Sequence, residues 1–167
     1  MKRKLSLLLF FSFNFFAALA QGKFAGSLIK MIGVKYTNDR HIKGLEGFTY
    51  REGSIASPLE DEQLFSVSVY KKGTTSVVLF SLSETDKKTF QVLDLLEIKN
   101  VTAGQDIKTM VCRENKIDNI EIVTLVKYSR SEYLKNVLKA WRFNRDKIRF
   151  ETIPVKGIDC LNEGFGE

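Results

Sequence analysis

The sequence contains a single histidine, and this scarcity limits the catalytic chemistry that the chain can support. A nucleophile activated by imidazole, as in Ser–His–Asp or Cys–His centres, would have to use His41. His41 ends the polar segment Asn38-Asp39-Arg40-His41, and no nucleophile-elbow sequence occurs in the chain. We therefore interpret His41 as a solvated loop residue.

Motifs for cofactors and metals are also lacking. The chain has no P-loop, dinucleotide fingerprint, EF-hand loop or His-Glu-x-x-His sequence. Its only cysteines, Cys112 and Cys160, are 48 positions apart, and with His41 they supply no cluster of metal ligands. The sequence therefore predicts neither a cofactor nor a metal site.

Long blocks of one charge sign are absent as well. The chain has 26 basic and 20 acidic residues, but three of the basic ones stand at positions 2–4. Without those three, 23 basic residues face 20 acidic ones, a net charge of +3, and the two signs are interspersed. This pattern indicates a mixed solvated surface, and it argues against nucleic acid or a polybasic membrane patch.

The first twenty residues have the composition of a cleavable signal peptide. Three basic residues precede the apolar run Leu5–Phe16, and Ala18-Leu19-Ala20 supplies the small residues that a signal peptidase reads. The alternative is an uncleaved anchor, but a helix from Leu5 to Ala20 reaches only about 24 Å, less than a hydrocarbon core of about 30 Å. We predict a signal peptide over 1–20 and one exported domain over 21–167, periplasmic or extracellular, without a membrane span.

Export changes the expectation for the two cysteines. The destination of an exported chain is oxidising, which favours a disulfide between Cys112 and Cys160. Such a bridge would hold the C-terminal tail against the body of the fold. The alternative is a pair of buried free thiols.

Period-two alternation predicts most of the secondary structure. From Leu64 onward, apolar residues alternate with serines, so that Ser66 and Ser68 would face solvent in a half-buried strand. Further predicted strands follow, joined by short turns that favour antiparallel pairing. They cover 34–36, 48–51, 75–82, 89–98, 107–113, 119–128, 137–143 and 147–153.

Helical spacing in two places and a glycine-rich tail complete the prediction. Apolar residues predict a short helix over 24–32 ended by Gly33, and 131–134 resembles an N-cap with one helical turn. The tail 157–167 is predicted to be irregular. The fold class is α+β, an antiparallel meander with a short N-terminal helix covering part of the sheet; a closed barrel or a two-sheet sandwich is the all-β alternative.

The C-terminal third carries the one resemblance to known proteins. Ala140-Trp141-Arg142, a hairpin and then Gly157-Ile158-Asp159-Cys160-Leu161-Asn162-Glu163-Gly164-Phe165-Gly166 resemble the ends of small uncharacterised proteins that bacteria are predicted to export. The resemblance favours a bacterial periplasmic or extracellular setting, and it implies no activity.

A candidate binding surface consists of Trp141, Asn162 and Glu163. Trp141 lies among several aromatic residues, and Asn162 and Glu163 are polar groups of the tail; the alternative is that they serve packing and tail anchoring. The leading hypothesis is an exported, non-enzymatic protein that binds a protein partner or a small ligand. One alternative is a hydrolase of cell-wall or extracellular polysaccharide that uses paired carboxylates. Another is an inhibitor or immunity-type protein with a protruding loop at 52–63 or 83–88.

Overall fold

Antiparallel strands dominate the computed structural model of the protein, which describes residues 28–57 and 61–166. Of these residues, 51% are β-strand. The strands are β1 Lys35–Tyr36, β2 Thr49–Ile55, β3 Phe65–Lys72, β4 Thr75–Ser83, β5 Phe90–Ile98, β6 Gln105–Thr109, β7 Cys112–Glu114, β8 Ile117–Asp118, β9 Ile122–Lys127, β10 Tyr133–Leu134, β11 Val137–Asn144, β12 Arg149–Ile153 and β13 Ile158–Leu161.

The α+β prediction is corrected to the all-β alternative. In the described part of the chain the only helix is a 3₁₀ helix at Ile29–Met31, whereas a helix over 24–32 was predicted; residues 24–27 lie outside the described ranges. The helix is short because the chain joins the sheet at once: Gly33 N donates to Val92 O at 2.8 Å, and Val92 N donates to Val34 O at 2.9 Å.

Three sheets contain all the strands of the described residues. The five-stranded sheet has the order β1-β5-β4-β3-β2 and curls into a half-barrel. The middle sheet has the order β12-β11-β9-β6, and the sheet that carries both cysteines, here the disulfide sheet, has the order β10-β13-β7-β8. All strand pairs of the described residues are antiparallel, as the short turns predicted.

The sheets stack in layers that share buried residues. One face of the five-stranded sheet packs on the middle sheet through a core that includes Val78, Phe80, Val123 and Phe143. The other face is covered by the segment 28–48, which contributes Leu28, Met31, Ile42 and Leu45 to a second core. The middle sheet packs on the disulfide sheet through Ile122, Val126, Ala140, Leu134 and Ile158.

Coverage of both faces overturns the prediction that β3 is half-buried. Ser66 and Ser68 are 6% and 4% exposed, although the alternation assigned them to solvent. Their cross-strand neighbour Ser81 is fully buried. The reason is that the segment 28–48 folds back over the face on which these serines lie.

Two predicted segments have different structures because their partners are distant in the chain. The predicted strand 107–113 is divided by Met110, whose φ of +64° ends β6 before β7 begins. In the predicted helical turn at 131–134, Tyr133–Leu134 instead form strand β10, and the tail predicted to be irregular contains β13. Strand β13 pairs with both β7 and β10, which gives these short strands their hydrogen bonds.

The predicted pairing of Cys112 with Cys160 is confirmed. The two sulfur atoms are at disulfide distance, and the residues face each other in the β7–β13 register. Thr124 Oγ1 lies 3.6 Å and 3.2 Å from the two sulfurs, so the bridge sits beneath the middle sheet. The bridge thus fastens the C-terminal strand to the body of the fold.

The described residues contain no helix with the length and apolar character needed to cross a membrane. The predicted signal peptide over 1–20 lies outside the described residues, and it stays a prediction.

Candidate functional site

A cavity of about 250 Å³ opens on the covered face of the five-stranded sheet. The two edge strands of this sheet, β1 and β2, both contribute lining residues, because the curl of the sheet brings its two edges together. We call it the serine cavity; its lining residues are Tyr36, Thr37, Asp39, Gly53, Ser54, Ile55, Ser66, Ser68 and Phe90.

Strand register explains why hydroxyl groups collect at this place. Ile55 pairs with Ser66, and Ser66 pairs in turn with Ser81 on the next strand. Gly53 pairs with Ser68 in the same way. Cross-strand partners point to one face of a sheet, so these side chains form a continuous patch there.

Gly53 is required by the close approach of two hydroxyl groups. A Cβ at this position would lie 2.7 Å from Tyr50 Oη and 2.9 Å from Ser68 Oγ. The missing side chain lets the Tyr50 ring lie along the strand, edge-on to Tyr70 with ring centroids 5.7 Å apart. The floor of the serine cavity is therefore polar and close-packed.

Asp39 links the loop after β1 to this floor. Tyr70 Oη donates to Asp39 O at 2.8 Å. Burial raises the pKa of Tyr50, and a hydrogen bond to Asp39 raises it further. Burial likewise raises the pKa of Tyr70. Both phenols are therefore neutral donors over the physiological range, and they fix the loop on the sheet.

An aromatic pair forms another part of the wall. Tyr36 and Phe90 are register partners on β1 and β5, and their rings stack with centroids 5.9 Å apart. Among the lining residues Asp39 is the only one with a formal charge. The cavity thus offers hydroxyls, one carboxylate and an apolar ring surface.

Two of the buried hydroxyls have no hydrogen-bond partner within the described residues. These are Ser66 Oγ, which belongs to the cavity lining, and Ser81 Oγ, its cross-strand neighbour. The contrast is Ser83 on the same strand, whose Oγ accepts a hydrogen bond from Leu64 N at 2.7 Å. Leaving a buried polar group unsatisfied costs about 1–3 kcal/mol, so such groups call for a specific explanation.

The sequence reasoning did not find this site. Its signal was the Ser-Val-Ser-Val alternation in β3, which also describes an ordinary half-solvated strand. Only the position of the segment 28–48 distinguishes the two cases, and that is a property of the tertiary structure.

The three predicted surface residues lie elsewhere. Trp141 is half-buried and packs against the core between the five-stranded sheet and the middle sheet. Asn162 is 5% exposed, and its Nδ2 donates to Ser129 O at 3.2 Å and to Ser131 O at 3.0 Å. Glu163 Oε2 lies 3.4 Å from Lys108 Nζ. None of them lines the serine cavity; their role as a binding surface stays a prediction.

The carboxylates near Lys108 are the ones that bear on the hydrolase hypothesis. Lys108 Nζ contacts Asp106 at 3.3 Å and Glu163 at 3.4 Å, and its side chain is 14% exposed. Glu52 Oε1 accepts a hydrogen bond from Thr109 Oγ1 at 3.0 Å nearby. The lysine lies between the acidic groups, and none of these residues lines the serine cavity. The hydrolase stays a hypothesis.

The two loops named for the inhibitor hypothesis differ in how far they are described. In the turn 83–88, Asp86 Oδ1 accepts hydrogen bonds from Lys88 N at 2.9 Å and Thr89 N at 2.8 Å. The segment 52–63 is strand as far as Ile55, and residues 58–60 lie outside the described ranges. The inhibitor function stays a hypothesis.

Glu52→Gln should change the pH dependence of stability. Burial raises the pKa of Glu52, against a lowering by the Thr109 hydrogen bond. A folded-state pKa above the unfolded value means that this group's stabilisation is complete in acid and is lost as the pH rises through the folded pKa. Glutamine stays neutral and keeps the bond to Thr109.

We therefore expect Glu52→Gln to raise the free energy of unfolding by about 0.5 kcal/mol at pH 8, with no gain at pH 4. Urea unfolding at the two pH values measures it, and Glu132→Gln, an exposed carboxylate outside this cluster, is the control. A loss of stability at pH 8 would mean that the charge of Glu52 stabilises the fold.

Comparison of the chain with protein-family models, with curated proteins and with solved structures finds no match.

Proposed function

We propose that this protein is an exported binding protein that holds a small, neutral, hydroxyl-rich molecule of monosaccharide size in the serine cavity. The observation that carries the proposal is Ser66 in the polar lining of the cavity, a hydroxyl with no hydrogen-bond partner among the described residues. A ligand hydroxyl beside Ser66 would supply its missing hydrogen bond.

The volume of the cavity supports a small ligand. At about 30 Å³ per water molecule, 250 Å³ corresponds to roughly eight waters. Sites for drug-sized ligands range from about 300 to 1,000 Å³, so the serine cavity lies just below them. A single sugar ring or a compact polyol suits this space better than a peptide or a lipid chain.

The chemistry of the lining supports a neutral polyol. Serine and threonine hydroxyls both donate and accept, which matches ligand hydroxyls that do the same. Asp39 adds a strong acceptor and disfavours anions. Phe90 and Ile55 offer apolar surface to the CH face of a ring.

Two further observations support export. The cysteine pair at disulfide distance is typical of proteins in oxidising compartments. Positions 1–20 have the composition of a signal peptide. Neither bears on the ligand, so the binding proposal is tested separately.

Thermal denaturation with a ligand panel tests the proposal. The panel contains D-glucose, D-galactose, N-acetyl-D-glucosamine and glycerol, with citrate and choline as charged comparisons. A ligand at 100 times its Kd adds about 2.7 kcal/mol of stability, which corresponds to a rise in Tm of about 5–10 °C. We expect such a rise with a neutral member and none with citrate.

Ser66→Ala separates cavity binding from general effects. Loss of one ligand hydrogen bond worth about 1.4 kcal/mol weakens binding about tenfold, measured by isothermal titration with the best panel member. Ser76→Ala is the matched control, because Ser76 is a buried serine of the same sheet, like Ser66, but does not line the cavity. Absence of any shift across the neutral panel, or equal weakening in the two variants, would contradict the proposal.

A further inference from the structure

A second cavity, of about 600 Å³, lies on the disulfide sheet and shares no residue with the serine cavity. Three lysines line it: Lys116 from the β7–β8 turn, Lys135 after β10 and Lys156 before β13. We call it the lysine cleft; its other lining residues are Asn115, Val155, Gly157, Ile158 and Asp159.

None of the three lysines has an ion-pair partner among the described residues. Asp159 is the only acidic residue of the lining, and Arg113 holds it with two hydrogen bonds of 2.8 Å. The cleft therefore has an uncompensated positive charge.

Arg113, the partner of Asp159, is already held by two groups of the protein. The Arg113 guanidinium lies 3.4 Å from the centroid of the Tyr133 ring, so it is held between the ring and the Asp159 carboxylate. It cannot turn toward a ligand without releasing both partners. The charge that the cleft presents is consequently that of the lysines.

Two turns give the cleft a defined wall. Asn115 and Lys116 have φ of +52° and +69°, and Asn115 N donates to Gly157 O at 2.8 Å. Gly157 has a φ of +82°, and a Cβ there would clash with Asn115 Oδ1. The hydrogen bond from Asn115 N to Gly157 O brings the turn with Lys116 beside the segment with Lys156, so two of the charges are held on neighbouring turns.

Like charges that line one cleft without ion-pair partners favour the binding of an anion there. A lysine ammonium is a compact charge that accepts anionic oxygens from several directions, without the planar fork of arginine. Three such groups around 600 Å³ of open space offer more positive charge and more room than a single inorganic phosphate would use. They suit a ligand with several phosphate groups, whose charges match the lysines one by one.

We propose that the lysine cleft binds a polyanion that carries phosphate groups. Two sources offer this chemistry: a free oligophosphate and the headgroups of an anionic lipid. The proposal is independent of ligand binding in the serine cavity, and either one stands if the other fails.

Titration of the purified protein tests the proposal. The probes are sodium tripolyphosphate, followed by calorimetry in 50 mM NaCl, and vesicles of phosphatidylglycerol and phosphatidylcholine, followed by sedimentation. The triple variant Lys116→Gln, Lys135→Gln, Lys156→Gln should bind at least tenfold more weakly than the wild type. Raising NaCl to 500 mM should weaken wild-type binding as well, because salt screens exposed charges.

The control has the same net charge change at other sites. Lys30→Gln, Lys43→Gln, Lys88→Gln removes three exposed lysines that do not line the cleft, and it should bind like the wild type. Loss in the first variant alone supports the proposal, and the probe that binds identifies the source of the phosphate. Equal weakening in both variants, or no binding of either probe by the wild type, would overturn it.

Discussion

Phe80→Ala is expected to lower the free energy of unfolding by about 3–5 kcal/mol. Phe80 is fully buried on β4, and its ring is the centre of an aromatic cluster. Its centroid lies 5.3 Å from that of Phe65 on its own sheet, and 5.2 Å and 6.1 Å from those of Phe143 and Phe150 on the middle sheet. Truncation leaves a void at the junction of the two sheets that both would have to move to fill.

Urea unfolding measures this loss, and Phe165→Ala is the control. Phe165 is 54% exposed, so its removal should change stability by no more than about 0.5 kcal/mol. A native domain has about 5–15 kcal/mol of stability in total, which makes the expected difference large. If the two variants were equally stable, the packing of the five-stranded sheet on the middle sheet would be wrong.

Removal of the disulfide should cost about as much. Closing a loop with a sequence separation of 48 stabilises a chain by about 4 kcal/mol in the chain-entropy model. We expect the double variant Cys112→Ala, Cys160→Ala to unfold at a Tm about 10–15 °C below the wild type. The mechanism is that the free tail strand β13 gains conformations in the unfolded chain, while β7 and β10 lose a fastened partner in the native one.

Reduction provides the control for this variant. Wild-type protein unfolded and refolded in dithiothreitol should lose nearly the same stability, whereas the double variant should not respond to the reductant. A wild type whose Tm is unaffected by this treatment would show that the bridge does not stabilise the fold. Comparison of the two losses also separates the covalent link from the packing of the two buried side chains.

Local sequence patterns predicted the hairpins well. The strand predicted over 75–82 corresponds closely to β4. The turn predicted at 144–146 lies between β11 and β12. In these cases the partner strand follows within a few residues, so that propensity and turn chemistry are enough. The short strand β13 was not predicted for the opposite reason. Its partners β7 and β10 are not its neighbours across a short turn but lie further back along the chain.

The two candidate sites could not be predicted from sequence because each depends on distant segments. Ser66 became a buried residue only through the coverage of its face by the segment 28–48. The lysine cleft has no block of basic residues in the sequence that would predict it. Its three lysines, Lys116, Lys135 and Lys156, are well separated along the chain. For Asn162 the sequence left open a binding surface or tail anchoring, and its hydrogen bonds to Ser129 O and Ser131 O fit tail anchoring.

The two sites lie on different layers of the molecule. The serine cavity belongs to the five-stranded sheet and the lysine cleft to the disulfide sheet, with the middle sheet between them. Their chemistry differs in the same way, since one offers hydroxyls with a carboxylate and the other offers cations. A neutral ligand in the first and a phosphate-bearing one in the second would therefore not compete.

The most direct test of the central claim is the stability of the ligand-free variant Ser66→Ala, Ser81→Ala. If the fold makes no use of these hydroxyls, as a ligand site at Ser66 requires, their removal relieves two unsatisfied buried groups, and the free energy of unfolding in urea should equal or exceed that of the wild type. Ser83→Ala, which loses the bond from Leu64 N, should instead cost about 1 kcal/mol. A loss of about 2 kcal/mol in the double variant, about 1 kcal/mol for each hydroxyl, would show that the fold itself uses these groups, and it would contradict the account.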